Sequence, residues 1–407
     1  MKHLASLLAL LSVSTSVLAT DFDVKGFIVI DALSVSKQKK FDTDNRNLTE
    51  TKKDIEEVST EIITLDLKFY FRHEDWSAKI KLDLDGDLSE RNNIYEEALI
   101  SWRPQKNFKL SAGKGKVPFH QMHFGAARPT YIDGGSILNS SNSWRDQDKK
   151  ILFTVQNGSY RSGFINQFTY YGNSLSPLYT REDGPDFGRD NFGTISYETT
   201  DTLDNKKQRG FANKFTYTPA YGVKYSIAGI YLWRDIDPHA DWALDIAMTD
   251  ANDEREIWFE YMFGFVSKHE NDRFTAKKQW EQYIQLGYEY RFNETFSVAT
   301  SASAILVKAL AHDKGDYSTA DARDGGSGQG DYNNGQIFKK NNYMLEAALK
   351  WRLAKRVNFK LGLTHERKSV EEPRFPGARS QSSYTREVVE KGWEHAWQIN
   401  SGISYWF

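Results

Sequence analysis

The sequence contains no cysteine, which excludes disulfide frameworks and thiolate metal sites. Long apolar runs are missing too. Beyond residue 20 nothing approaches the roughly 20 consecutive apolar residues that a membrane-spanning helix needs, so no transmembrane helix is expected. Neither charge is in surplus, with 53 Lys and Arg against 55 Asp and Glu. A chain this close to neutral offers no electrostatic footprint for nucleic acid, and none is expected as a partner.

Aromatic residues, by contrast, are plentiful: 14% of the chain, including 11 Trp and 21 Tyr, although 27% of it is charged. Rings in that number on so polar a chain suit a surface that needs amphipathic groups. The opening stretch "MKHLASLLALLSVSTSVLA" has a basic start at Lys2, an apolar core from Leu4 to Leu11 and small residues leading to Ala19. It reads as a signal peptide over 1–19, leaving 20–407 as one domain with no internal boundary.

Period-2 alternation fills that domain. In "EIITLDLKFYFR", Ile63, Leu65, Leu67, Phe69 and Phe71 alternate with Thr64, Asp66, Lys68, Tyr70 and Arg72. In "WSAKIKLDLD", Trp76, Ala78, Ile80, Leu82 and Leu84 stand against Lys79, Lys81, Asp83 and Asp85. A soluble sandwich alternates as well, but its strands are shorter. Segments here run to about 10–14 residues, the length that tilted strands need to cross a bilayer. Their apolar faces end in rings such as Trp76, Trp102, Tyr231, Trp233, Phe292 and Trp351, as interfacial girdles do. Short turns ("RHED", "RPQKN", "NGSY", "TPAYG", "TDAND", "FNET", "LAKR") alternate with longer polar stretches at 34–58, 87–93, 116–148, 172–207, 235–241, 268–279, 310–341 and 370–392. The layout predicts an all-β transmembrane antiparallel barrel of about 16 strands in a bacterial outer membrane, with short periplasmic turns and longer external loops.

Hydrocarbon cannot pair with a backbone N–H or C=O, so the sheet must close. "DFDVKGFIVIDA" and "WEHAWQINSGISYWF" are the two edges expected to meet. The latter ends in Tyr405, Trp406 and Phe407, and so resembles the C-terminal signal by which bacterial outer-membrane proteins are handed to their insertion machinery. A barrel of this size encloses water, and charges cannot be buried dry. Lys79, Lys81 and Lys109 are therefore expected on the lumen wall beside Asp66, Asp83, Asp85 and Glu289.

The stretch "YEEALISWRPQKNFKLSAGKGKVPF", residues 95–119, resembles porins of the phosphate-selective O and P family through Gly113, Lys116, Pro118 and Phe119, which match a Gly-x-x-Lys-x-Pro-Phe sequence. The resemblance implies that the third external loop folds into the barrel as a constriction. Lys114, Lys116, His120, His123 and Arg128 would then set a positive potential at its narrowest point. It also implies a homotrimer surrounded by outer-membrane lipid and lipopolysaccharide. The family's selective members build a ladder of arginines, whereas this lumen mixes both signs. Passive diffusion of small hydrophilic solutes and ions, with a mild anion preference, is therefore the expected function.

Other chemistry has weaker support. His120 and His123 have metal-like spacing but lack a third ligand, and no metal site or cofactor is expected. The Gly-rich acidic stretch "HDKGDYSTADARDGGSGQGDYNNG" lacks the ordered spacing of a calcium loop. His73, His239, His269, His365 and His395 accompany no nucleophile signature, so no enzyme is expected. The alternative function is surface binding, adhesion or a structural role for the external loops.

Overall fold

A strand with one apolar and one polar face can satisfy both only by standing between two media, and this alternation organises the whole chain. The computed structural model describes residues 21–40, 55–84, 95–119, 150–159, 163–172, 208–234, 240–266, 269–270, 275–312, 337–373 and 389–406. The strands are β1 (Asp21–Lys40), β2 (Ile55–His73), β3 (Trp76–Asp83), β4 (Tyr95–Gln105), β5 (Phe108–Gly115), β6 (Lys150–Ser159), β7 (Phe164–Gly172), β8 (Gln208–Tyr217) and β9 (Val223–Arg234). They continue with β10 (Ala240–Ala251), β11 (Arg255–Val266), β12 (His269–Glu270), β13 (Thr275–Arg291), β14 (Phe296–His312), β15 (Ile337–Ala354), β16 (Val357–Pro373) and β17 (Val389–Trp406).

All seventeen belong to one sheet. β12 is a two-residue piece that pairs only with β13, while β11 pairs directly with β13. Sixteen long strands therefore form the wall, each antiparallel to its sequence neighbours. β1 lies between β2 and β17, with Phe27 opposite both Asp66 and Trp406. This seam closes the sheet, and the barrel predicted from the alternation is the observed fold.

Local chemistry sets the tight connections. Asn252 Oδ1 accepts from the backbone N–H groups of Glu254 and Arg255, at 2.9 and 2.8 Å. Asn293 Oδ1 does the same for Thr295 and Phe296, both at 2.8 Å. These Asx turns reverse the chain between β10 and β11 and between β13 and β14. Glu74, in the two-residue turn after β2, takes a left-handed φ of 50°.

Outward positions carry Ile100, Phe153, Phe168, Ile227, Leu286 and Leu345, all exposed. Rings mark the edges of this belt: Trp76 stacks on Trp102 at 6.0 Å and Trp242 on Phe265 at 5.9 Å. Toward the short turns, Phe292 meets Tyr290 and Phe296 at 4.9 and 5.5 Å. The inward face is small or polar, as with Ala243, Ala247, Ser226, Ser301 and Ser404, all buried.

Three expectations need correction. Several strands outrun the predicted segments: β1 reaches Lys40 and β2 begins at Ile55, within the stretch expected to be a loop. Their polar ends stand clear of lipid and lose the alternation that would announce them. "NGSY" is not itself the turn, since Asn157, Gly158 and Ser159 still pair with Asn166, Ile165 and Phe164. The connection between β9 and β10, residues 235–239, is as short as a turn, so short and long links do not alternate strictly.

Candidate functional site

The inner face of the barrel is the candidate site, and its charges are arranged by register. On one wall Asp66 of β2 accepts from Lys81 of β3 at 3.0 Å and lies 3.9 Å from Lys68. Lys79 pairs with Glu97 of β4. Lys109 of β5 stands in the field of Lys79 and Arg103, which makes a basic group near the short-turn end of this wall. Farther round, Ser101 and Ser111 share a hydrogen bond of 2.8 Å, as do Thr154 and Thr169 at 2.9 Å.

The opposite wall holds a network near the same end. Arg291 bonds Glu256 at 3.1 Å and Glu289 at 3.5 Å, and Lys350 reaches Glu289 at 3.6 Å. Ser301 donates to Glu346 at 2.8 Å, and Asn342 donates to Glu366 at 2.6 Å.

Within these pairs the two signs differ in their access to water. Side-chain exposure is 34% for Lys79 against 18% for Glu97, and 29% for Arg291 against 13% for Glu256. It is 23% for Lys350 and 33% for Lys68, against 3% for Glu289 and 8% for Asp66. Length explains the difference. A carboxylate on a short stem stays against the wall, whereas a Lys or Arg head extends from it toward water. In these pairs the cationic head stands nearer to water than its carboxylate, whereas Lys150 and Lys360 of the inner face are as buried as the carboxylates.

A second inner feature is apolar. Val117 and Phe119, which follow β5, are 1% and 0% exposed and form one cluster with Leu152, Tyr171, Ile230, Met262 and Tyr283. Trp258, Tyr283 and Tyr171, which are inward and buried, are not among the residues singled out from sequence. For Trp258 and Tyr171 the missing signal was cross-strand glycine. Gly287 stands opposite Trp258 and Gly210 opposite Tyr171, and a Cβ on either glycine would run into the facing ring. Each ring thus lies flat over a residue without a side chain, a pairing invisible until register is known.

Of the predicted site residues, the structure places Lys79, Lys81, Lys109, Asp66 and Glu289 on the inner wall, and the register sets Asp83 opposite Asp66. Lys114 differs from expectation. It shares the parity of Leu110 and exposed Ala112, opposite that of buried Ser111 and Gly115, and so takes the outward side. Lys116 follows the strand and is half-buried. Gly113 has a clear structural reason: its φ is 136°, and a Cβ there would collide with the Ala98 carbonyl oxygen. Tyr405 is exposed on the outer face and Trp406 is half-buried. Residues 1–19, Asp85, His120, His123, Arg128 and Phe407, with the rest of the third external loop, lie outside the described residues. Among the described residues, no group of three or more His, Asp or Glu is arranged to hold a metal ion.

No protein-family model and no curated protein sequence matches the chain. Solved structures do match. The outer-membrane protein OmpT of Vibrio cholerae, with loop L8 deleted, aligns over 95% of this chain and 99% of its own at 11% identity, with a TM-score of 0.53. The outer-membrane channel DcaP of Acinetobacter baumannii aligns over 95% and 97% at 12% identity, with a TM-score of 0.52. An anion-selective porin from Comamonas acidovorans aligns over 95% and 100% at 10% identity, with a TM-score of 0.51. At such identity the likeness establishes the fold, that of bacterial outer-membrane porins. A sealed sheet of this fold, apolar outside and charged within, is an outer-membrane β-barrel.

Proposed function

We propose that the protein is a passive diffusion channel for small hydrophilic solutes and ions, with a mild preference for anions. The observation that carries this reading is the recessed position of the carboxylates in the lumenal ion pairs, beside lysines and an arginine that keep more water. A permeating anion would meet these cations first, and a positive wall lowers the cost of its entry. Short turns would face the periplasm and the longer connections the outside.

The inward third loop belongs to the same reading. Its first residues support it, because Val117 and Phe119 turn into the inner apolar cluster. Lys116, His120, His123 and Arg128 would then line the constriction, whereas Lys114 would not. The Gly113–Phe119 motif supports a likeness to phosphate-selective porins at the level of loop architecture.

Planar-bilayer recording of the purified chain is the test. Large ohmic steps are expected, with a reversal potential in a salt gradient on the anion side of zero. Lys79→Gln combined with Lys109→Gln should move that potential toward the cation side. An adhesive or plugged barrel would give no steps, and an unmoved potential would remove these lysines from the pathway.

Trimer formation is part of the proposal. Support comes from β7 and β8, where Asn213 Nδ2 donates to Asn166 Oδ1 at 3.0 Å on the outward face. In lipid the remaining amide groups of this pair would lack partners; a neighbouring subunit could supply them. Asn166→Leu with Asn213→Leu should shift the detergent-solubilised protein toward monomer in light scattering, and an unchanged mass would exclude this wall.

A further inference from the structure

His365 of β16 and His395 of β17 lie 30 residues apart in sequence, and the register of the last hairpin brings them together on the outer wall. Nε2 of His365 is 3.2 Å from Nδ1 of His395, with the ring centroids 5.4 Å apart and the planes inclined by 21°. The His365 ring also packs on Trp397, its direct cross-strand partner, at 4.1 Å. Both histidines are half-buried, and Trp397 is half exposed. His365 stands eight residues above Val357, where β16 begins, a climb of roughly 20 Å at barrel tilt. That height is the end of the lipid-facing band nearer the longer connections, where rings such as Trp397 stand between hydrocarbon and water.

A nitrogen-to-nitrogen separation of 3.2 Å suits two arrangements. In one, a ring donates its N–H and the other accepts. In the other, both nitrogens offer lone pairs to one metal ion; bonds of 2.0–2.1 Å spanning that gap enclose about 103°, close to the tetrahedral angle. Passing from the first to the second moves the donor's proton to its other ring nitrogen, so no net proton leaves. The surroundings select the kind of ion. Leu345 and Trp397 stand opposite His365, and Arg367 and Lys39 stand opposite His395. None of the four is a carboxylate. A hard cation such as Ca²⁺, which takes oxygen ligands, finds no side-chain ligand among them, whereas zinc and copper suit imidazole. Arg367 is exposed, so its charge is screened by water and salt.

We propose that His365 Nε2 and His395 Nδ1 chelate one divalent transition-metal ion, with water completing its coordination. Trp397 is a positioning residue that holds the His365 ring. The bound ion clips β16 to β17 where the wall leaves the lipid.

Titration calorimetry of the full chain, purified in detergent without a histidine tag, tests this with Cu²⁺ and Zn²⁺ as the probes. One ion should bind per barrel, Cu²⁺ more tightly than Zn²⁺, and Ca²⁺ should not compete. The electron paramagnetic resonance of bound Cu²⁺ should show two coordinated nitrogens. Loss of a partner behind a metal ligand typically weakens binding 10–100-fold, so loss of a ligand itself, in His365→Gln or His395→Gln, should cost about a hundredfold or more. Trp397→Leu should cost about tenfold and keep the two-nitrogen signature. His73→Gln, at the short-turn end of β2, should bind as wild type does. Each variant is compared as the folded barrel, identified by its gel mobility before heating. Undiminished affinity in either folded glutamine variant, or an equal loss in His73→Gln, would overturn the proposal. A wild-type resonance with fewer than two nitrogens would overturn it without reference to any variant.

Discussion

Glu74 and Gly113 are opposite cases of one backbone rule. Left-handed φ values disfavour any residue with a Cβ, and the cost falls to glycine-like levels only when the Cβ is absent. Glu74 accepts the strain in an exposed two-residue turn, where its φ is 50°. Glu74→Gly should therefore stabilise the barrel by about 0.5–1 kcal/mol, read as a higher urea midpoint in detergent. Gly113 has φ of 136° and the Ala98 carbonyl where a Cβ would sit, so Gly113→Ala adds strain and collision together. A loss of about 1–3 kcal/mol is expected in the same measurement, and an unchanged midpoint would show that β4 and β5 can separate freely there. The family-like motif thus owes its glycine to the approach of two strands, which spacing alone could not reveal.

At the scale of the strand, alternation was legible wherever one face met lipid. The faces predicted for β2 and β3 match the register over Asp66–His73 and Trp76–Asp83, with Phe69 opposite Ile80 and Lys68 opposite Lys81, whereas Ile63 falls at a register shift against β1. Legibility stopped where the lipid stopped. The polar end of β1 and the polar start of β2 pair as strands, with Val35 opposite Val58, yet neither face there needs to be apolar. The inner site was legible as a set of charged residues but not as ion pairs, because partners such as Lys79 and Glu97 come from different strands. Those pairs make a prediction about selectivity. Asp66 balances Lys68 on its own strand and Lys81 on the neighbouring one, so Asp66→Asn should leave two uncompensated cations on the wall. The reversal potential should then move further toward the anion side, the reverse of the Lys79→Gln and Lys109→Gln effect. An unmoved potential would mean that Asp66 is screened from the bore.

For the whole molecule, the seam between β1 and β17 is the contact on which the rest depends, and the absence of cysteine makes it easy to probe. Val29 stands opposite Ser404. Directly paired antiparallel residues have Cα atoms about 4.5 or 5.5 Å apart, both within reach of a disulfide. Val29→Cys with Ser404→Cys should oxidise to an intramolecular cross-link that changes gel mobility and preserves conductance. Val29→Cys with Ser401→Cys, out of register, should not. Failure of the first pair with success of the second would move the register. The seam also dictates an order of events during biogenesis. Until β17 reaches β1, two rows of peptide groups would look into oil with nothing to bond, and that meeting joins segments almost a full chain length apart, the slowest kind of contact to find. A half-made cylinder therefore cannot wait in the bilayer by itself; it needs another protein's strand edge as a temporary neighbour, or it must stay in water until both margins are ready to zip.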